Sequence, residues 1–250
     1  MEKRILDKRT TQFGLAEFQD EIQAVMRYCD ILMYRAKKVA DVETAASFNR
    51  VPVIDACSEK YHPCQAITDM MTMIEYSKGL QNIKKVCWLG MENNVMNTLM
   101  LICVKLGIQF TIISPEIDSA SVDPELNIIC ESTGLVTRTQ DFATGLKDAD
   151  YIHTDTWMNM EFFDSNGKVL PEKESDYYRF KEKFVPYQIN VELIRKYCPN
   201  TKIMDCMPLH IGYEITRDAV NHPNSIIFDQ AENRLHAQKG IIMWLLGMSV

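Results

Sequence analysis

The chain has 250 residues, 46% of them hydrophobic, enough to bury a sizeable core in one large or two small domains. Its 27 Lys and Arg against 34 Asp and Glu leave a net charge of −7, and no basic stripe is present, so a nucleic-acid partner is not expected. No apolar run reaches ~18 residues, so no membrane span is expected, and the charged start MEKRILDKRTTQF lacks the apolar centre of a secretory signal.

The elements alternate along the chain. LAEFQDEIQAVMRY (15–28) sets Leu15, Phe18, Ile22, Val25 and Met26 on one helical face. CDILMYR (29–35) is strand-like and ends at Arg35. DVETAASFN follows as a helix and VPVIDA (51–56) as a strand. The next helix starts after Pro63 and closes near Gly79. IKKVCWLG (83–90) predicts a strand, NNVMNTLMLICVKLG a helix and IQFTIISP a strand. Further strands are expected at 149–155, 201–208 and 224–229, with a helix in PYQINVELIRKYC between the first two. A final helix covers QAENRLHAQKGIIMWLLGM. The charge-rich segment from Asp164 to Phe184 reads as a solvated loop and helix.

Alternating strands and helices imply an α/β protein with parallel sheets. Ligands in such sheets bind beyond the carboxyl ends of the strands, so the residues there carry the chemistry. These are Arg35, then His62 and Gln65 before a helix, Asn93 and Asn94 before another, Asp155 with Trp157, and Asp205 with Cys206. Arg234 adds a cation in the first turns of the last helix. Each has an ordinary alternative: His62 as a turn residue, Asp155 and the asparagines as caps, Cys206 as a buried thiol. The eight cysteines form no CxxC and sit mostly in apolar runs, which suits a reducing, cytoplasmic compartment. The five histidines show no metal-ligand spacing, so neither a metal nor a cofactor is expected. No GxGxxG follows a strand, which argues against a dinucleotide enzyme.

The ordered segments YHPCQAITDMMTMIEY, TDTWMNM, MPLHIGYEIT and IFDQAENRLHAQKGIIMWLL resemble the ornithine carbamoyltransferase family of the aspartate/ornithine carbamoyltransferase superfamily. The resemblance implies two Rossmann-like parallel-sheet domains with a C-terminal helix packing back on the first. The divisions would be 1–80 for carbamoyl phosphate, 81–229 for an ornithine-like amino acid, and 230–250 for the returning helix. It implies transfer of a carbamoyl group from carbamoyl phosphate to an amine, without a cofactor, in a homo-oligomer, a trimer. By the same resemblance, Arg35, His62, Gln65, Arg234 and the backbone of Cys206 and Met207 would hold carbamoyl phosphate. Asn93, Asn94, Asp155, Asn159 and Met160 would hold the amine. Cys206, Asp155 and His62 would carry the catalysis, and the segment around 164–184 would close over the amine.

The chain departs from the family pattern in several places. No Ser-Thr-Arg-Thr-Arg phosphate loop occurs, so an incomplete first domain is expected, and with it weak turnover by this chain alone. Leu15 and Ala16 stand where the family carries a basic residue, and Glu92 where it has a small one. Asp205 stands where the family usually has His, and Asn159 where it has Ser. A paralogue or fragment that binds an amino acid without turning over carbamoyl phosphate is the alternative expectation.

Overall fold

The computed structural model describes residues 17–158, 162, 164 and 168–248. The first block holds helix α1 (Phe18–Val25), strand β1 (Leu32–Tyr34), helix α2 (Val39–Ser47) and strand β2 (Val53–Asp55). β1 and β2 pair in parallel as a two-stranded sheet. Ile22, Met26, Leu32 and Ala45 close a small core beneath it. Helix α3 (Pro63–Ser77) follows, with Pro63 in its first turn, where a missing N–H costs nothing. Lys78 in the left-handed conformation (φ 55°) and Gly79 end it.

The second block runs β3 (Lys85–Leu89), α4 (Asn94–Lys105), β4 (Gln109–Ile113), α5 (Pro124–Glu131), β5 (Val136–Thr139), α6 (Phe142–Leu146) and β6 (Tyr151–Thr154). It continues through α7 (Glu174–Phe184), α8 (Val191–Tyr197), β7 (Lys202–Asp205), α9 (Arg217–Val220) and α10 (Ile227–Leu245). Its five strands are all parallel, in the order β5-β4-β3-β6-β7. The central strand β3 is covered on both faces, which explains its unbroken apolar run KVCWL. One face packs Trp88 and Phe110 against Met73, Leu99 and Met100 of α3 and α4. The other packs Cys87, Leu89 and Ile152 against Leu193 and Ile194 of α8. Each fully buried Leu, Ile or Met contributes roughly 1.5–3 kcal/mol.

Strand order reverses between β3 and β6, and in open parallel sheets ligands bind outside the carboxyl ends of the strands at such a switch point. Gly90 leaves β3 there at φ 124°, and a side chain on it would press on Thr154 and Trp157. Helix α10 returns from β7 to α3. Asn233 donates to Thr72 Oγ1 (3.1 Å) and Glu75 Oε2 (2.7 Å), and Gln238 to the Cys64 carbonyl (3.3 Å).

The expected strand at 224–229 does not form. Only Ser225 bridges to Ile203, and the chain enters α10 at Ile227. Ile226 and Ile227 bury as a strand would, but against the helical layer, and Asp229 suits the positive end of a helix. The first helix is shorter than its apolar pattern, ending at Val25 before a 3-10 turn, and Leu15 and Ala16 lie outside the described residues. Edge strand β5 carries little apolar signal because it is half exposed. Among the described residues no helix is long and apolar enough to cross a membrane.

Candidate active site at the strand ends

The backbone places Asp155 one residue past β6 and Cys206 one residue past β7, on neighbouring strands paired in register. The Cys206 thiol donates to Asp155 Oδ1 at 2.9 Å, and the Thr156 N–H donates to the same oxygen at 2.7 Å. Asn93 completes the cluster. Its Oδ1 caps α4 by accepting from the N–H groups of Val95 and Met96, and its Nδ2 donates to Asp155 Oδ2 at 2.7 Å. One side chain thus caps a helix and orients a carboxylate. Burial pushes the Asp155 carboxyl above its usual range, against the pull of these three donors. Burial, then the charges of Asp155 and Asp205, push the Cys206 thiol well above its usual value, so it rests as a thiol.

Asn94 serves elsewhere. Its Nδ2 donates to the Ser58 carbonyl (2.6 Å) and Cys57 Sγ (3.3 Å), tying α4 to the loop after β2.

A second cluster forms at the start of α3. His62 is buried at its N-cap, with its backbone N–H on Thr98 Oγ1 (2.8 Å) and Nδ1 without a partner. Burial, then the Arg234 and Arg35 charges, lower its pKa to about 4, so the ring is neutral at neutral pH. Arg234 donates to Gln65 Oε1 and leaves its buried Nε unpaired. Arg35 is exposed and makes no hydrogen bond or ion pair among the described residues. Two buried nitrogens without partners, His62 Nδ1 and Arg234 Nε, with the Arg35 charge acting on the same ring, fit an anionic or carbonyl ligand.

Residues that local sequence did not single out join the two clusters. Asp69, fully buried, accepts from Gln65 Nε2 and Gln230 Nε2 on one oxygen, both at 2.7 Å. His153 Nε2 lies 3.2 Å from its other oxygen. Gln230 Oε1 in turn accepts the Asp205 N–H at 3.0 Å. A continuous chain therefore runs Arg234–Gln65–Asp69–Gln230 to the backbone before Cys206. The signal was present as four-residue spacing, Gln65 to Asp69 and Gln230 to Arg234, which sets each pair on one helical face. His153 stacks on Trp88 (5.1 Å between centroids) and passed for a strand residue.

Asp205 is the other buried carboxylate here, 1% exposed, and neither oxygen has a well-formed hydrogen bond. Burial, then the charges of Glu214, Asp155 and Asp69, hold its carboxyl well above the usual range, and the Cys206 N–H offsets little of this. One possible ligand atom each from Asp155, Asp205 and Cys206 lie within 4.8 Å of one another, the only grouping of three such residues this close among the described residues. Sequence spacing concealed it, because two adjacent residues meet a third from a neighbouring strand. Met207 is half exposed at the following turn, where the Met207–Pro208 peptide is cis. Asn159 and Met160 lie outside the described residues.

Comparison with known proteins follows the same division. Residues 82–245 match the Asp/Orn binding domain of aspartate/ornithine carbamoyltransferases, and residues 4–75 match the carbamoyl-P binding domain. An ornithine carbamoyltransferase of Thermococcus kodakarensis is 35% identical over 235 residues, 91% of this chain and 70% of that one. That of Mycolicibacterium smegmatis is 34% identical over 97% of this chain and 76% of its own length. The solved ornithine carbamoyltransferase of Pyrococcus furiosus superposes with a TM-score of 0.81 at 32% identity, covering 98% of this chain and 74% of that chain.

Proposed function

The chain belongs to the aspartate/ornithine carbamoyltransferase family, and from that premise we propose that it carries the carbamoyl group of carbamoyl phosphate to an ornithine-like amine. The observation that carries the reading is the joined pair of clusters. His62 and Arg234 carry buried nitrogens without partners, the Asp155–Cys206 pair is hydrogen-bonded across neighbouring strand ends, and Gln65, Asp69 and Gln230 link the first cluster to the backbone of Asp205.

In this reading neutral His62 donates to the carbamoyl carbonyl oxygen as negative charge develops on it. Arg35 and Arg234 hold the phosphate, and Gln65 is oriented beside it. The carbonyls of Cys206 and Met207 accept from the carbamoyl NH2. Asp155, Asn93 and Asn94, with Asn159 and Met160, hold the amine substrate. The substrate ammonium gives up one proton to the Asp155–Cys206 pair, the free amine forms the new C–N bond, and the C–O bond breaks with its electrons leaving on phosphate, which takes the second proton from the amine nitrogen. Residues 1–80 form the carbamoyl phosphate half, 81–229 the amino-acid half, and 230–250 the helix returning to the first. A cytoplasmic homo-oligomer, a trimer, is the assembly this reading expects, and light scattering on the purified chain checks it.

The test is a ureido-product assay with carbamoyl phosphate and ornithine, with phosphate release followed in parallel. Stoichiometric product and phosphate are expected, with Cys206→Ala and Asp155→Asn each losing at least about a hundredfold in kcat. Binding of ornithine by calorimetry with no product under any condition would instead assign a binding protein that does not turn over carbamoyl phosphate.

A further inference from the structure

Strand β7 is the outer strand of its sheet, so its far edge has no strand of that sheet to pair with. The segment after α9 covers the start of this edge. The Ile203 N–H donates to the Asn224 carbonyl, and the Ile203 carbonyl accepts from the Ile226 N–H, both at 3.0 Å. The chain then turns into α10 at Ile227, and the next N–H on the edge, that of Asp205, meets a side chain instead. Gln230 Oε1 accepts it at 3.0 Å, as the carbonyl of a further strand would. Gln230 is 1% exposed, and Asp69 settles which way round its amide stands. Asp69 Oδ1 takes Gln230 Nε2 at 2.7 Å, which leaves Oε1 for the strand. The same Asp69 oxygen takes Gln65 Nε2 at 2.7 Å, and Gln65 Oε1 takes Arg234. One residue past Asp205 lies Cys206, its thiol on Asp155 of the neighbouring strand end at 2.9 Å.

Resting on the carbamoyltransferase reading, we propose that Gln230 is a positioning residue for the transfer. It holds the free edge of β7 at Asp205, and so sets where the Cys206 thiol and the carbonyls of Cys206 and Met207 stand against the carbamoyl group. Gln230 acts through the strand end rather than on either substrate. Removing its side chain releases that end of β7 but leaves Gln65 on Asp69 and Arg234 on Gln65. Carbamoyl phosphate is then still bound, and the loss falls on the step that needs the strand end in place.

The experiment is steady-state kinetics with carbamoyl phosphate and ornithine on the full chain and on Gln230→Met, which keeps the length of the side chain and loses both polar ends. kcat is expected to fall about tenfold or more, while KM for carbamoyl phosphate moves by less than about threefold. Gln230→Asn, polar but one carbon too short to span both partners, is expected to act in the same way and serves where Gln230→Met does not fold. Asn233→Ala, which cuts another side-chain tie between α10 and α3, is expected to leave kcat as it was. An unchanged kcat in the Gln230 variants, a loss confined to KM, or an equal loss of kcat in Asn233→Ala overturns the proposal. If the wild-type chain gives no product, the carbamoyltransferase reading has failed, and two local measurements decide the positioning by themselves. Hydrogen exchange at the Asp205 amide and alkylation of Cys206 by iodoacetamide are each expected to run about fivefold faster or more in the Gln230 variants, with exchange at Ile226 unchanged. Either rate at its wild-type value, or an equal rise at Ile226, overturns it.

Discussion

Asp69 and Asp205 are two buried carboxylates that share one neighbour, Gln230, and are treated in opposite ways. Gln230 turns its amide N–H toward Asp69 Oδ1 and its carbonyl toward the Asp205 backbone, so the same side chain serves one carboxylate and bypasses the other. Asp69 lies inside α3 with the amides of Gln65 from α3 and Gln230 from α10 both donating to its Oδ1, and with His153 of β6 3.2 Å from its Oδ2. Asp205 ends β7 with its oxygens empty. A buried charge that holds donors acts as structure, tying three elements together. One without donors lowers the stability of the empty protein and is useful only when something binds.

The sharpest way to break this comparison is to remove each carboxylate. Asp69→Ala should cost about 3–5 kcal/mol in urea unfolding, because the buried amides of Gln65 and Gln230 lose their acceptor together. Asp205→Ala should cost less than about 1 kcal/mol, or stabilise, since it removes a penalty and leaves a small cavity. Equal losses would show that the two carboxylates do not differ in this way.

The next effect is in pH. The Asp205 carboxyl titrates higher in the folded chain than in the unfolded one, so the native state holds a proton that the unfolded state releases first. The stability this contributes is complete below the ordinary carboxylate range and declines as pH rises toward the folded value, by up to about 1.4 kcal/mol per pH unit. Asp205→Asn should flatten that decline in unfolding free energies measured from pH 4 to 8, whereas an unaltered slope would place the proton elsewhere.

His62 runs the other way. Its pKa falls from 6.5 to about 4 on folding, so stability is complete above 6.5 and drains as pH drops toward 4. NMR titration of the ring should show it neutral at pH 6, and a His62→Asn variant should lose part of the acid-side slope. A ring already charged at pH 6 would contradict its role as a neutral donor.

The smallest effect belongs to a carboxylate that water reaches. Glu116 pairs with Lys183 at 2.6 Å near the surface, and Lys183→Ala should shift unfolding by no more than about 1 kcal/mol, less in high salt. A larger loss in a thermal melt would mean that α7 is held to the sheet by charge rather than by Tyr177 and Phe184.

The amino-acid sequence by itself determined the class of fold and where its chemistry lies. Apolar runs of strand length alternate with helical periods, and hydrophobic burial turns that alternation into a covered parallel sheet. The polar residues at the strand ends, His62, Gln65, Asn93, Asp155 and Cys206, were legible because little else in a buried sheet ends in such groups. Tertiary structure decided which of them meet. It chose Asn93 rather than Asn94 for Asp155, turned 224–229 from a strand into the start of α10, and brought Gln230, 161 residues away in the chain, to donate to Asp69. It also left Asp205 without a well-formed hydrogen bond on either oxygen. The physical reason is range: burial follows local composition, whereas a hydrogen bond exists only where two groups from distant segments arrive within 3.5 Å.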